Sequence, residues 1–107
     1  MYKEVLKAKI NCKVTESDVR YKGSITIDSE MLEKLGIDEF EAVEVNNRNG
    51  HRDRTYIIKG ERGSGIIACN GALSTNHAVG DKIHINCFRL VHEFHPVIEP
   101  NILNLTD

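Results

Sequence analysis

The sequence predicts a mainly β domain that closes, or nearly closes, into a barrel. Three observations carry this reading: short runs of branched, alternating residues recur along the chain, one segment has helical spacing with caps at both ends, and turn signals separate the runs. The first run, residues 5–14, reads as a strand, and Ser24-Ile25-Thr26-Ile27 has the alternation of a half-buried one. A helix follows, with Asp28 or Ser29 as N-cap, Met31, Leu32 and Leu35 on one face, and Gly36 as the left-handed stop. Ala42-Val43-Glu44-Val45 and Thr55-Tyr56-Ile57-Ile58 read as strands joined through Asn47-Arg48-Asn49-Gly50, where Asn49-Gly50 fits a tight hairpin. Gly65-Ile66-Ile67-Ala68-Cys69 is the next strand. A short helical turn after Gly71 ends before Gly80-Asp81, and residues 82–88 form the last predicted strand. Closing such strands into a barrel removes the exposed edges they would otherwise present.

With 107 residues the chain is expected to be one domain, 1–107, with an ordinary globular mix of 40% hydrophobic and 28% charged residues. The formal net charge of -2 is scattered, and no block of Lys or Arg offers the footprint that nucleic-acid binding needs. The first residues carry charge every few positions without an apolar signal region, and no run is long enough to cross a bilayer. Cys12, Cys69 and Cys87 are widely spaced and odd in number, which suits reduced thiols. A cytoplasmic protein with neither nucleic acid nor membrane as partner is the expectation.

The informative segment is Asp18-Val19-Arg20-Tyr21-Lys22-Gly23-Ser24-Ile25-Thr26-Ile27-Asp28. A glycine can hold backbone strain, and a serine hydroxyl beside such a peptide can attack the preceding carbonyl. Gly-Ser is nevertheless a common turn dipeptide, and Gly63-Ser64 repeats it in the same chain. Taken alone, Gly23-Ser24 reads as a turn.

The order of several segments changes that weighting. Lys7-Ala8-Lys9-Ile10, the stretch from Tyr21 to Asp28, Thr55-Tyr56, Glu61-Arg62-Gly63-Ser64-Gly65, Asn70-Gly71-Ala72 and Val79-Gly80-Asp81 together resemble the pyruvoyl-dependent aspartate 1-decarboxylase family, over roughly the first four-fifths of the chain. The resemblance implies a six-stranded double-psi β-barrel with one or two short helices, assembled as a homotetramer with active sites between subunits. It implies self-cleavage: Ser24 attacks the Gly23 carbonyl to give an ester, elimination leaves dehydroalanine at position 24, and hydrolysis yields a pyruvoyl group. The products are a β chain, 1–23, and an α chain, 24–107. The ketone of that cofactor forms a Schiff base with L-aspartate and takes up the electrons freed as carbon dioxide leaves, releasing β-alanine for pantothenate synthesis. The partners so implied are L-aspartate, further copies of the chain and, as an open alternative, a maturation factor.

Roles follow residue by residue from the same resemblance. Lys9 pairs with a substrate carboxylate, and Arg52 holds the other, with Arg54 as its rival; a planar guanidinium suits that task. Tyr56 returns a proton to the decarboxylated carbon, Thr55 aids cleavage near Gly23, and Tyr21 lines the pocket. Asn70 bonds to the pyruvoyl region, while Gly71 and Ala72 admit a close backbone approach. Each also has a plain reading, as a solvated lysine, hairpin arginines, a packed tyrosine or a helix-capping loop. Strict alternation puts Thr55 and Tyr56 on opposite faces, with Arg52 and Arg54 on the Tyr56 face, so the site needs a distorted strand or more than one face.

Departures from the family pattern are Asn11 near the lysine where a histidine is usual, Asp53 where an aromatic residue is usual, Leu73 in a run of small residues, and the absence of an acidic helix-like segment in 91–100. Two rivals are weaker. His84, Cys87, His92 and His95 have zinc-binding types without a familiar spacing, so no metal is expected, and no nucleophile-elbow pattern supports a serine hydrolase. The remaining alternative is a non-enzymatic, unprocessed homologue acting as an oligomeric binding or scaffold barrel.

Overall fold

The computed structural model describes residues 1–21 and 23–106. Its strands are β1 (Tyr2–Lys13), β2 (Glu16–Asp18), β3 (Ser24–Asp28), β4 (Ala42–Asn47), β5 (Arg52–Gly60), β6 (Ile67–Asn70), β7 (Lys82–His92) and β8 (Asn101–Asn104). Helix α1 spans Ser29–Leu35, and a 3-10 turn spans Gly71–Thr75. The lateral order is β2-β6-β3-β5-β4-β7-β1-β8. Because β2 follows β1 almost directly, this order is circular. Between them Val14 N–H donates to Asp81 O at 3.0 Å and Thr15 N–H to Ile67 O at 2.8 Å, which carries the first strand from β7 across to β6. The six positions β1/β2, β6, β3, β5, β4 and β7 close a barrel, and parallel β8 lies along the middle of β1.

Alternation fills the interior. Ala8, Ile10 and Cys12 of β1 pair with Cys87, Ile85 and Ile83 of β7, and the first two rows continue to Val43 and Val45 of β4. All are buried, together with Ile25 and Ile27 of β3, Ile57 of β5 and Ile67 of β6. The residues between them face outward, which is the period-two pattern of the sequence made spatial.

Helix α1 begins and ends where predicted. Asp28 is its N-cap and accepts from Glu30 N–H, and Gly36 ends it in the left-handed region with φ 68°. The hairpin differs from expectation. Strand β4 ends at Asn47 and β5 resumes at Arg52, so residues 48–51 form the loop rather than a two-residue turn. The Asn47 side chain closes it, its Oδ1 accepting from Asn49 N–H at 2.9 Å and His51 N–H at 3.2 Å. Strands β2 and β8 were not predicted: both are short, and polar residues at their ends hide the pattern.

Candidate active site

Strands β3 and β6 run antiparallel with Ser24 opposite Asn70. Ser24 is only 1% exposed. Asn70 Nδ2 donates to Ser24 Oγ at 3.0 Å and to Thr26 Oγ1 at 3.0 Å. One amide thus grips two hydroxyls that share a face of β3, and it fixes the serine side chain. Gly71 follows Asn70 with φ +63°. A Cβ there would stand 2.6 Å from Tyr21 O, 2.7 Å from Gly23 N and 2.9 Å from Gly23 Cα, so only glycine lets the chain pass against the backbone atoms of Tyr21 and Gly23. Lys22, within that segment, lies outside the described residues.

Strand β5 supplies the other wall. It pairs parallel with β3 from Ile25↔Ile57 onward, so its first residues, Arg52 to Thr55, run past the start of β3 and Tyr56 stands level with Ser24. A cavity of about 490 Å³ opens at this overhang, lined by Gly23, Arg52, Arg54, Thr55, Tyr56 and Ala72 among others. The β4–β5 register is unbroken from Ala42↔Tyr56 to Asn46↔Arg52, so alternation is kept and no distortion is needed. The cavity takes in residues of both faces because the strand edge is bare there. Tyr56 is 39% exposed and its ring lies 6.4 Å from that of Phe40.

The other predicted residues are placed elsewhere. Tyr21 lines a separate cavity of about 800 Å³ with Asp18, Arg20, Thr26 and Asn70, so the Ser24–Asn70–Thr26 cluster stands between two openings. Lys9 belongs to neither. It lies on the outer face of β1, in a row that runs Lys9–Asn86–Glu44–Arg54 across β1, β7, β4 and β5. Three strand spacings of about 4.8 Å put it about 14 Å from Arg54 along the sheet. Beside it the His84 ring is bonded to Asn11, so an imidazole reaches this neighbourhood from the adjacent strand. Burial and the nearby Lys9 charge lower the His84 pKa below its ordinary value.

Asp53 does not face the arginines. It points to the interior side of β5, 2.7 Å from His77 Nε2 and 3.1 Å from Asn76 Nδ2. Burial pushes its carboxyl up, but the hydrogen bonds from Asn76 and His77 outweigh this, so its pKa is lowered. Leu73 lines the cavity yet is buried in the core cluster, so it packs inward. Thr26, Asn47, Asn76 and His77 were missed from sequence. Thr26 had one signal, its place two residues after Ser24 on the same strand face.

Among the described residues no group of three or more His, Cys, Asp or Glu could hold a metal ion. Burial pushes the Cys12 and Cys69 thiols up to about 12, so neither is a nucleophile at neutral pH.

A family model described as aspartate decarboxylase matches residues 1–107. The chain is 45% identical over 111 aligned positions to the aspartate 1-decarboxylase of Bacillus cereus strain B4264, covering 100% of this chain and 87% of that one. It is 46% identical to the aspartate 1-decarboxylase of Bacillus thuringiensis strain Al Hakam, covering 87% of this chain and 75% of that one. The chain belongs to the aspartate decarboxylase family. Among solved structures it is similar to the computationally designed msDPBB_sym2 protein, a double-psi β-barrel, with TM-score 0.50 and 17% identity over 79% of this chain and 99% of that one. That likeness concerns the fold alone, and it agrees with the predicted double-psi barrel. Within the aspartate decarboxylase family a pyruvoyl group is the cofactor in general, and Ser24 is the buried hydroxyl that Asn70 holds in this member.

Proposed function

We propose that this chain cleaves itself between Gly23 and Ser24 and then converts L-aspartate to β-alanine and carbon dioxide, which feeds pantothenate synthesis. The observation that carries the proposal is the whole-chain match to the aspartate decarboxylase family together with a buried Ser24 hydroxyl held by Asn70. Cleavage needs a serine side chain fixed beside the preceding carbonyl. Asn70 restrains that side chain, and Gly71 lets its own backbone lie against Gly23 at contact distance. Ser24 Oγ adds to the Gly23 carbonyl carbon, the peptide nitrogen leaves, and the resulting ester breaks by elimination, which makes Gly23 the new C-terminus. Thr55 lines the cavity beside Gly23 and assists this step.

The same surroundings fit a pyruvoyl group at position 24, since an amide donor and a glycine-lined backbone already face that atom set. When formed, that group accepts the electron pair released by decarboxylation. The chain's own residues then bind and protonate. Arg52 anchors one substrate carboxylate through its planar fork; Arg54 stands across the sheet from Glu44, an acidic neighbour that Arg52 lacks. Tyr56, at the mouth of the cavity, delivers the proton to carbon.

Lys9 completes the site from a second copy of the chain, in a homotetramer. The outer face of β1, β7, β4 and β5 supports assembly: Asn46 Oδ1 and Asn86 Oδ1 are buried there without a hydrogen-bond partner among the described residues. Exposed Tyr2, Leu90, Phe94 and Val97 add apolar surface at one end of the barrel. A cytoplasmic setting suits the three free thiols. No helix of the described residues is long and apolar enough to cross a membrane. The test is incubation of the purified protein with L-aspartate: β-alanine and carbon dioxide in equal amounts support the proposal, and a cleaved protein that yields neither overturns it.

A further inference from the structure

The interior row Ile10–Ile85–Val45 continues in register onto Asp53 of β5, so a carboxylate stands where its three predecessors are aliphatic. The Asp53 side chain is 29% exposed at the cavity, and hydrogen bonds hold it on the interior side of the strand. Asn76 Nδ2 lies 3.2 Å from Oδ1 and 3.1 Å from Oδ2, and His77 Nε2 lies 2.7 Å from Oδ2. His77 is 0% exposed. Its Nδ1 is 3.2 Å from Asn47 Nδ2, which also donates to Asn76 O at 2.7 Å. The Asn47 amide cannot be reversed, because its Oδ1 accepts the Asn49 and His51 N–H groups. A donor therefore faces Nδ1, Nδ1 accepts, and the ring hydrogen sits on Nε2 and points at Asp53.

This arrangement bears on the cavity. Asp53 lies between Arg52 and Arg54 in sequence and lines the same cavity, at a strand edge left bare beyond β3. Neither arginine has an ion-pair partner among the described residues. A carboxylate released at that edge would compete with a substrate carboxylate for the Arg52 guanidinium, which pairs across the sheet with Asn46, whereas Arg54 already has Glu44 opposite.

We propose that Asn76 and His77 are positioning residues: they capture the Asp53 carboxylate and so reserve Arg52 for the carboxylate of the substrate. The proposal rests on the reading of aspartate as substrate. It also gives the 3-10 turn Gly71–Thr75 a tether, since Asn76 and His77 follow it directly and tie it to β5.

The test uses the assembled protein with His77→Ala and, separately, Asn76→Ala, which keeps the question open to measurement where the buried histidine variant loses its melting transition. Each single variant is expected to raise KM for L-aspartate about fivefold while kcat changes less. Adding Asp53→Asn to either removes the competing charge and should bring KM back to within about twofold of the parent. A network that merely held the wall in place would leave the double variant at least as impaired as the single one. Binding of succinate, a dicarboxylate without the amino group, is measured on the same proteins by calorimetry and should weaken and recover in the same order. Wild-type protein that makes no β-alanine would sink the functional reading, and the succinate series would still decide this inference. Unchanged KM and succinate affinity in both single variants, or no recovery in the doubles, would overturn it.

Discussion

At the scale of single residues, Ser24 owes its placement to two neighbours that make different demands. Asn70 holds Ser24 through one hydrogen bond, and Gly71 leaves room for the backbone of Gly23 to lie against it. Loss of a buried hydrogen bond costs about 1 kcal/mol, so Asn70→Ala should slow self-cleavage about fivefold to tenfold, followed as the ratio of cut to uncut chain on denaturing gels over time. Gly71→Ala should slow it further, because the new Cβ must displace the segment that carries the scissile carbonyl and the residue must also hold a positive φ. The Gly23-Ser24 pair and Asn70-Gly71 were legible in the sequence through their order along the chain. The grip of Asn70 on Thr26 was not, because it depends on a strand register 44 residues apart. Asp53 shows the same limit: its neighbours in sequence are arginines, but its partners in space are Asn76 and His77.

At the scale of elements, Asp28 ties three pieces together. Its carboxylate caps α1 through Glu30 N–H at 2.9 Å and accepts Gly63 N–H at 2.9 Å and Gly65 N–H at 2.8 Å. The bonds from Gly65 and Gly63 lead in lowering its pKa below the ordinary carboxylate value. A carboxyl depressed in the folded state stabilises the fold above its unfolded pKa and loses that contribution as the pH falls through the folded value. Asp28→Ala should therefore lower the melting temperature at neutral pH, and the gap to the parent should shrink as the pH drops below about 4. Calorimetry across pH 2–7 checks this, and a gap that stays constant over that range would contradict it. The helix was legible because its signals are local: a cap, an apolar face and a left-handed stop. The overhang of β5 past β3 was not, since it follows from a parallel pairing that no local pattern encodes.

At the scale of the whole molecule, closure of the barrel brings Gly23, Arg52, Thr55 and Tyr56 to one cavity and leaves Lys9 outside it. Rows across the sheet put Lys9 on the outer face, away from Gly23, so the proposed site takes it from a neighbouring copy. Mixing subunits then has a definite outcome. Lys9→Ala and Ser24→Ala proteins should each be inactive, and hybrids refolded from both should regain activity, since some sites combine an intact Lys9 with an intact Ser24. Hybrids without activity would place both residues in one chain. The most direct test of the account is the intact mass of the purified protein under denaturing conditions. Two chains divided after Gly23, with the larger lighter by one ammonia than a fragment beginning with serine, is the predicted result. A single uncut chain after prolonged warming would contradict it.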